Sequence, residues 1–151
     1  IASGSSYHKL LIPWGSNPIT DHLLSTKNFQ IVHDGANFTR IQKRAEILAW
    51  PEGYQDLRIC FSAERRDENC GECSKCLTDI LHMRILGVEI PKSFPNTSDL
   101  AIKNLHVRSL GELVGFDSLV ASARKHGVRD RWVEILAKRV QELKRNVKHS
   151  V

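Results

Sequence analysis

Leu57-Arg58-Ile59-Cys60 and, after a nine-residue gap, Cys70-Gly71-Glu72-Cys73-Ser74-Lys75-Cys76 hold all four cysteines of the 151-residue chain. The C-x9-C-x2-C-x2-C spacing supplies four thiolates, the number a tetrahedral metal centre needs. Two-residue spacers let neighbouring sulfurs converge on one ion, and Gly71 permits the tight turn inside the knuckle. Unrelated core thiols would not use up the whole cysteine complement in one cluster. Two disulfides are the other reading of such a set, but the start of the chain has no basic or apolar region of a secretory signal. A reducing cytoplasm is therefore the expected setting, where clustered cysteines hold metal. Zinc suits four thiolates because it needs neither redox change nor a d-electron geometry. An iron–sulfur cluster is the main rival. The ferredoxin run continues C-x3-C-P, whereas here Cys76 is followed by Leu77-Thr78-Asp79-Ile80.

Outward from the cysteines, Leu57 to Phe61 alternates like a strand that delivers Cys60 at its end. A polar loop, Glu64 to Asn69, leads into the knuckle, and Ser74 to Leu86 reads as a helix closed by Gly87. Upstream, Phe29-Gln30-Ile31-Val32-His33 has the β-branched and aromatic content of a strand, broken by Asp34-Gly35-Ala36-Asn37. Thr39 is a plausible N-cap for a helix over Arg40 to Trp50. Its Ile41, Ala45, Leu48 and Ala49 share one face, and Pro51-Glu52-Gly53 is expected to end it. Tyr7 to Ile12 is a further short, strand-like run. Pro13-Trp14-Gly15-Ser16-Asn17-Pro18 is rich in turn formers, and Ile19 to Leu24 reads as a helical turn. Strands alternating with helices at these lengths predict an α/β fold built on a parallel sheet. Pro91 to Pro95 reads as a linker. Beyond it the pattern is helical, with Phe116 to His126 stopped by Gly127. A final helix runs from Val128 to Val147, with Val133, Leu136, Val140, Leu143 and Val147 as its seam. Two heptads make this an intramolecular face rather than a coiled-coil dimer.

Composition sets limits. The 41% hydrophobic and 26% charged residues are ordinary for a globular protein, and no apolar run approaches the roughly 20 residues that span a bilayer. Of the net charge of +5, residues 101–151 carry +6 (11 Lys and Arg against 5 Asp and Glu) and residues 1–100 about −1 (11 against 12). A basic tail can attract nucleic acid, yet it is equally a solvated helix surface. Trp132 is the only aromatic residue of the last thirty available for base stacking.

Several pieces together resemble the C-terminal half of the PP-loop ATP pyrophosphatase superfamily, in its 7-cyano-7-deazaguanine synthase-like branch. They are Pro13-Trp14-Gly15-Ser16-x-Pro18-x-x-Asp21, His33-Asp34-Gly35, Thr39-Arg40-x-x-Lys43, Leu57-Arg58-x-Cys60 and Asn69-Cys70-Gly71-x-Cys73-x-Lys75-Cys76. The likeness spans residues 13–87, about half of the chain. It implies a distal α/β domain over 1–96 with one structural zinc on Cys60, Cys70, Cys73 and Cys76, then a helical extension over 97–151. It also implies an ATP- and Mg2+-dependent enzyme that adenylates a small-molecule substrate and releases AMP and pyrophosphate. Ser16, Asp21, His33, Asp34, Arg40 and Lys43 become the substrate or phosphate candidates. One departure matters. The superfamily binds ATP through a Ser-Gly-Gly-x-Asp-Ser loop, and Ser3-Gly4-Ser5-Ser6 lacks its second Gly and its Asp. The nucleotide loop is expected upstream of Ile1 or lost, so the chain alone is not expected to hydrolyse ATP. The competing classes are a zinc-knuckle nucleic-acid-binding module with a basic tail, and a non-catalytic scaffold.

Overall fold

The computed structural model describes Ile1, Ser6, Tyr7, Leu10 and residues 16–62, 67–95 and 97–148, with the side chains of Val147 and Lys148 left aside. The Ser3-Gly4-Ser5 stretch, Pro13-Trp14-Gly15, most of the Tyr7–Ile12 run and the first half of the Glu64–Asn69 loop lie outside the described residues. The chain divides into two compact units, Ile1–Ala49 and Trp50–Val151.

In the first unit a 3-10 turn, Asp21–Leu24, is followed by α1, Arg40–Leu48. Thr39 caps α1 as its side chain predicts: Oγ1 accepts from the Gln42 amide while Gln42 Oε1 accepts from the Thr39 amide at 2.8 Å, a reciprocal capping box. No side chain of α1 is buried. The second unit opens with α2, Pro51–Gln55, and continues with α3, Ser74–Leu86; α4, Asp99–Lys103; α5, Leu110–Lys125; and α6, Arg131–Lys148.

Helix accounts for 53% of the described residues and strand for about 2%, with no sheet, which overturns the expected parallel-sheet α/β fold. The reason lies in where the backbone groups go. In the 29–33 run only Phe29 pairs, through an isolated antiparallel bridge to Thr26 across a tight turn. The Ile31 amide donates to Ser25 Oγ at 2.9 Å and the Val32 carbonyl accepts from the N-terminal ammonium at 2.7 Å. In 57–60 a single side chain, Asn69, occupies the Ile59 and Cys60 amides and the Leu57 carbonyl. Side chains and a terminus satisfy these segments, so no ladder is needed. Their β-branched content reports an extended backbone but supplies no neighbouring strand.

The helical expectations fare differently. α3 begins at Ser74 and closes at Gly87, which takes the left-handed conformation at φ 67°. Helix α1 stops at Leu48 rather than Trp50, and Pro51 begins α2 instead of ending α1, because a proline at N1 has no amide to lose. Helix α5 starts six residues before Phe116, at Leu110, where Ser109 accepts from the Glu112 amide at 3.2 Å. The α6 seam packs against α4 and α5, with Val133, Leu136 and Val140 buried. The hydrophobic core comes from Leu77, Ile80, Leu81 and Met83 of α3, Ile102 and Leu105 at α4, Phe116 and Leu119 of α5, and this seam. Helix α3, which is capped by Cys73 and carries Cys76, thus shares its core with helices after residue 97. Among the described residues no helix is long and apolar enough to cross a membrane.

Candidate metal centre and polar cluster

Three local structures bring the thiols together. The extended 57–60 segment presents Cys60. The turn Cys70-Gly71-Glu72-Cys73 presents two more thiols, with Gly71 at φ 75°. A side chain there would be strained in the left-handed region, and its Cβ would lie 2.6 Å from Pro95 Cγ. Cys73 is the N-cap of α3, which places Cys76 in its first turn. The four sulfurs all lie within 4.8 Å of one another. Cys70 Sγ and Cys76 Sγ are 3.7 Å apart, close to the roughly 3.8 Å edge of a tetrahedron with metal–sulfur bonds of about 2.3 Å. Cys60 and Cys76 are buried, Cys70 and Cys73 half-buried. The cluster can therefore hold a metal ion with no coordination position left over for substrate.

The electrostatics favour a cation. Burial resists ionisation of Cys60, but the amides of Cys70 and Ser62 and the neighbouring thiols outweigh it, leaving Cys60 at about 6. Burial pushes the Cys73 and Cys76 thiols up. Four thiolates at this spacing repel one another, and a bound dication removes that cost while releasing protons. Backbone amides already point at sulfur: Cys70 N donates to Cys60 Sγ at 3.2 Å and Cys73 N to Cys70 Sγ at 3.4 Å. The N-terminus of α3 adds its positive end.

The segment read as a linker, Pro91 to Pro95, is a clasp around this turn. The Ser93 carbonyl accepts from the Asn69 amide at 2.8 Å, and Thr97 Oγ1 donates to the Gly71 carbonyl at 3.1 Å. Arg84 of α3 then donates to the Thr97 carbonyl at 2.8 Å. On the other side Ser74 Oγ donates to Glu112 of α5 at 3.2 Å, so the first turn of α3 is tied to the start of α5. Neither Ser93 nor Glu112 carries a sequence signal of a role at the knuckle. Asn69 does, through its place beside Cys70.

In the first unit the structure brings together three of the six substrate candidates. Ser16 Oγ donates to Asp21 Oδ2 at 2.6 Å, and His33 Nε2 lies 3.4 Å from both atoms. The Asn17 amide donates to Asp21 Oδ1 at 2.7 Å. That amide first, and the Ser16 hydroxyl second, hold the Asp21 carboxyl below its usual value. The side chains of Asp21 and His33 are each only 5% exposed, which leaves Ser16 as the outward face of the cluster. The serine hydroxyl serves the carboxylate rather than the imidazole, so this is not the relay of an activated serine nucleophile.

Asp34 remains exposed and outside the cluster. Arg40 and Lys43 stand in the first turns of α1, whose own first turn contains no acidic residue. Lys43 Nζ lies over the Gly35 turn, 3.3 Å from where a Cβ would be. A residue that sequence reasoning passed over joins them: partial burial of the half-exposed Arg44, with the charge of Arg40 added, pushes its guanidinium down to about 10. Its position four residues after Arg40, on the same helix face, was the available signal. The open depression lined by His22, Ser25, Thr26, Phe29 and Ile31 contains none of these candidates.

No family model, no curated protein and no solved structure matches the chain.

Proposed function

We propose that Cys60, Cys70, Cys73 and Cys76 hold one structural zinc ion. In this reading the chain is the zinc-bearing distal part of an ATP-dependent synthase-like enzyme that forms AMP and pyrophosphate. The convergence of four sulfurs within 4.8 Å, two of them at a tetrahedral edge length, carries the zinc assignment. A closed four-thiolate set is a scaffold, since catalytic zinc keeps an open position. When bound, the ion would staple the 57–60 segment to the turn before α3.

The enzymatic part rests on the resemblance of residues 13–87 to the PP-loop ATP pyrophosphatase superfamily. Two observations support it. Ser16 and Asp21, five residues apart, are joined by His33, seventeen residues beyond Ser16, in one polar cluster. Arg40 stands in the first turn of α1 and its charge is felt by Arg44, and a helix start favours an anionic phosphate. The substrate class is a small molecule with a carboxylate or similar oxygen to activate, and Mg2+ would accompany ATP.

The nucleic-acid reading gains no stacking platform from the tail. Trp132 is 5% exposed and offers no stacking face. Arg124, Arg131 and Lys144 are engaged by Glu134, Asp99 and Asp117. The test is pyrophosphate release from ATP by a form of the protein that carries a nucleotide loop, in the presence of candidate carboxylates. Release that falls at least tenfold in Arg40→Ala and in Asp21→Ala is expected. No release from a zinc-loaded protein would sink the enzymatic reading and leave the zinc assignment standing.

A further inference from the structure

Asn69 is 2% exposed and uses every hydrogen-bonding position of its side chain. Its Oδ1 accepts from the Ile59 amide at 3.0 Å and the Cys60 amide at 3.3 Å. Its Nδ2 donates to the Leu57 carbonyl at 2.9 Å and the Ser93 carbonyl at 3.0 Å. The Asn69 backbone amide reaches the same Ser93 carbonyl at 2.8 Å. Two amides face one end of the side chain and two carbonyls face the other, which fixes the orientation of the carboxamide. Aspartate would set a carboxylate against two carbonyls, and a shorter or apolar side chain would leave buried backbone groups unpaired. Glutamine would place the same groups one methylene further out.

The position matters more than the count. Asn69 adjoins Cys70, yet it grips the amide of Cys60 across the nine-residue gap. The two halves of the thiol set meet at this one side chain, and the Cys70 amide then reaches Cys60 Sγ at 3.2 Å. Cys70, Cys73 and Cys76 are held by a turn and a helix start. Cys60 sits on a segment without a strand partner among the described residues, and Asn69 holds the last two amides of that segment.

We propose that Asn69 is the positioning residue of the metal centre: it places Cys60 as the fourth ligand, and without it the site becomes a three-thiolate site completed by solvent. This rests on the zinc assignment above. Outer groups that orient metal ligands typically contribute about 10- to 100-fold in affinity.

The test uses the full chain, zinc competition against a chromophoric chelator, and the visible spectrum of the cobalt(II)-substituted protein. Asn69→Asp should weaken zinc binding about 10- to 100-fold and shift the cobalt spectrum away from the wild-type four-thiolate pattern, toward that of Cys60→Ser. Asn69→Ser, neutral and short, should shift it in the same direction and keeps the test open if the aspartate variant does not fold. The double variant Asn69→Ser/Cys60→Ser should bind zinc no more weakly than Cys60→Ser alone. Leu136→Ala, which weakens the distant core, serves as control and should leave the spectrum unmoved. An Asn69→Ser protein with wild-type spectrum and affinity, or additive losses in the double variant, would overturn the proposal while zinc binding stands. A wild-type chain that binds neither metal would instead bring down the zinc assignment itself.

Discussion

Among the described residues, the two units of this chain differ in what they bury. Of the twenty-one buried hydrophobic side chains among the described residues, twenty lie in the second unit and only Ala36 in the first. The first unit instead leaves Leu23, Leu24, Phe29, Val32 and Phe38 at least half exposed and closes its turns with polar contacts. Asp21 gathers Ser16, Asn17 and His33, Ser25 holds Ile31, and Thr39 and Gln42 cap one another. The second unit packs four helices on a shared core and sets four thiols at the start of one of them. Apolar pattern alone is thus no guide to burial: the stripes of α3, α5 and α6 are buried, whereas the α1 stripe and the 29–33 run are not.

The largest effect expected from this contrast is metal removal. Structural zinc supplies about 10–16 kcal/mol of apparent free energy in finger peptides, against about 5–15 kcal/mol for the net stability of a whole domain. Chelation should therefore collapse the melting transition of the second unit, while amide signals of residues 16–36 stay in place. A chelator that moves both sets equally, or neither, breaks the comparison. Next in size is Ile80→Ala, a fully buried residue of α3, which should cost about 2–5 kcal/mol in denaturant unfolding. Gly71→Ala should cost about 1–3 kcal/mol from left-handed strain, with the close approach to Pro95 added, and should weaken metal binding as well.

In the first unit the effects should be small. Leu23→Ala, at a side chain 71% exposed, should change stability by less than about 0.5 kcal/mol. The Asp21 carboxyl lies below its usual 3.8 in the fold. Its contribution is therefore fully present above that value and is lost as pH falls through the lower, folded value. Amide spectra should show the Asn17 signal unchanged between pH 5 and 7 and moving only in more acidic solution, below about pH 4. Movement of that signal between pH 5 and 7 would contradict the lowered Asp21 carboxyl.

What was legible in the sequence follows the same division. The cysteine cluster, the N-cap at Thr39, the stop at Gly87 and the Val133, Leu136 and Val140 part of the α6 seam depend on residues a few positions apart, and these are found as expected. The parallel sheet depended on pairing between distant runs, which composition cannot specify. Phe29 to His33 and Leu57 to Phe61 have the right residue types, and their backbone groups go to Ser25, Ile1 and Asn69 instead. The clasp around the knuckle was illegible for a related reason. Pro91 to Pro95 has linker composition, and only the fold shows the Ser93 carbonyl receiving Asn69. Ser16, Asp21 and His33 stand within one set of six candidates, and which three of them converge is a property of the fold.

The claim on which the rest depends is a four-thiolate zinc centre, and metal analysis of the purified chain tests it most directly. Elemental analysis should give one zinc per chain, and cobalt(II) substitution should give the intense visible spectrum of tetrahedral thiolate coordination, both lost in Cys76→Ser. A brown protein carrying iron and absorbing near about 400 nm, or a chain that binds no metal with all four thiols reduced, would contradict it.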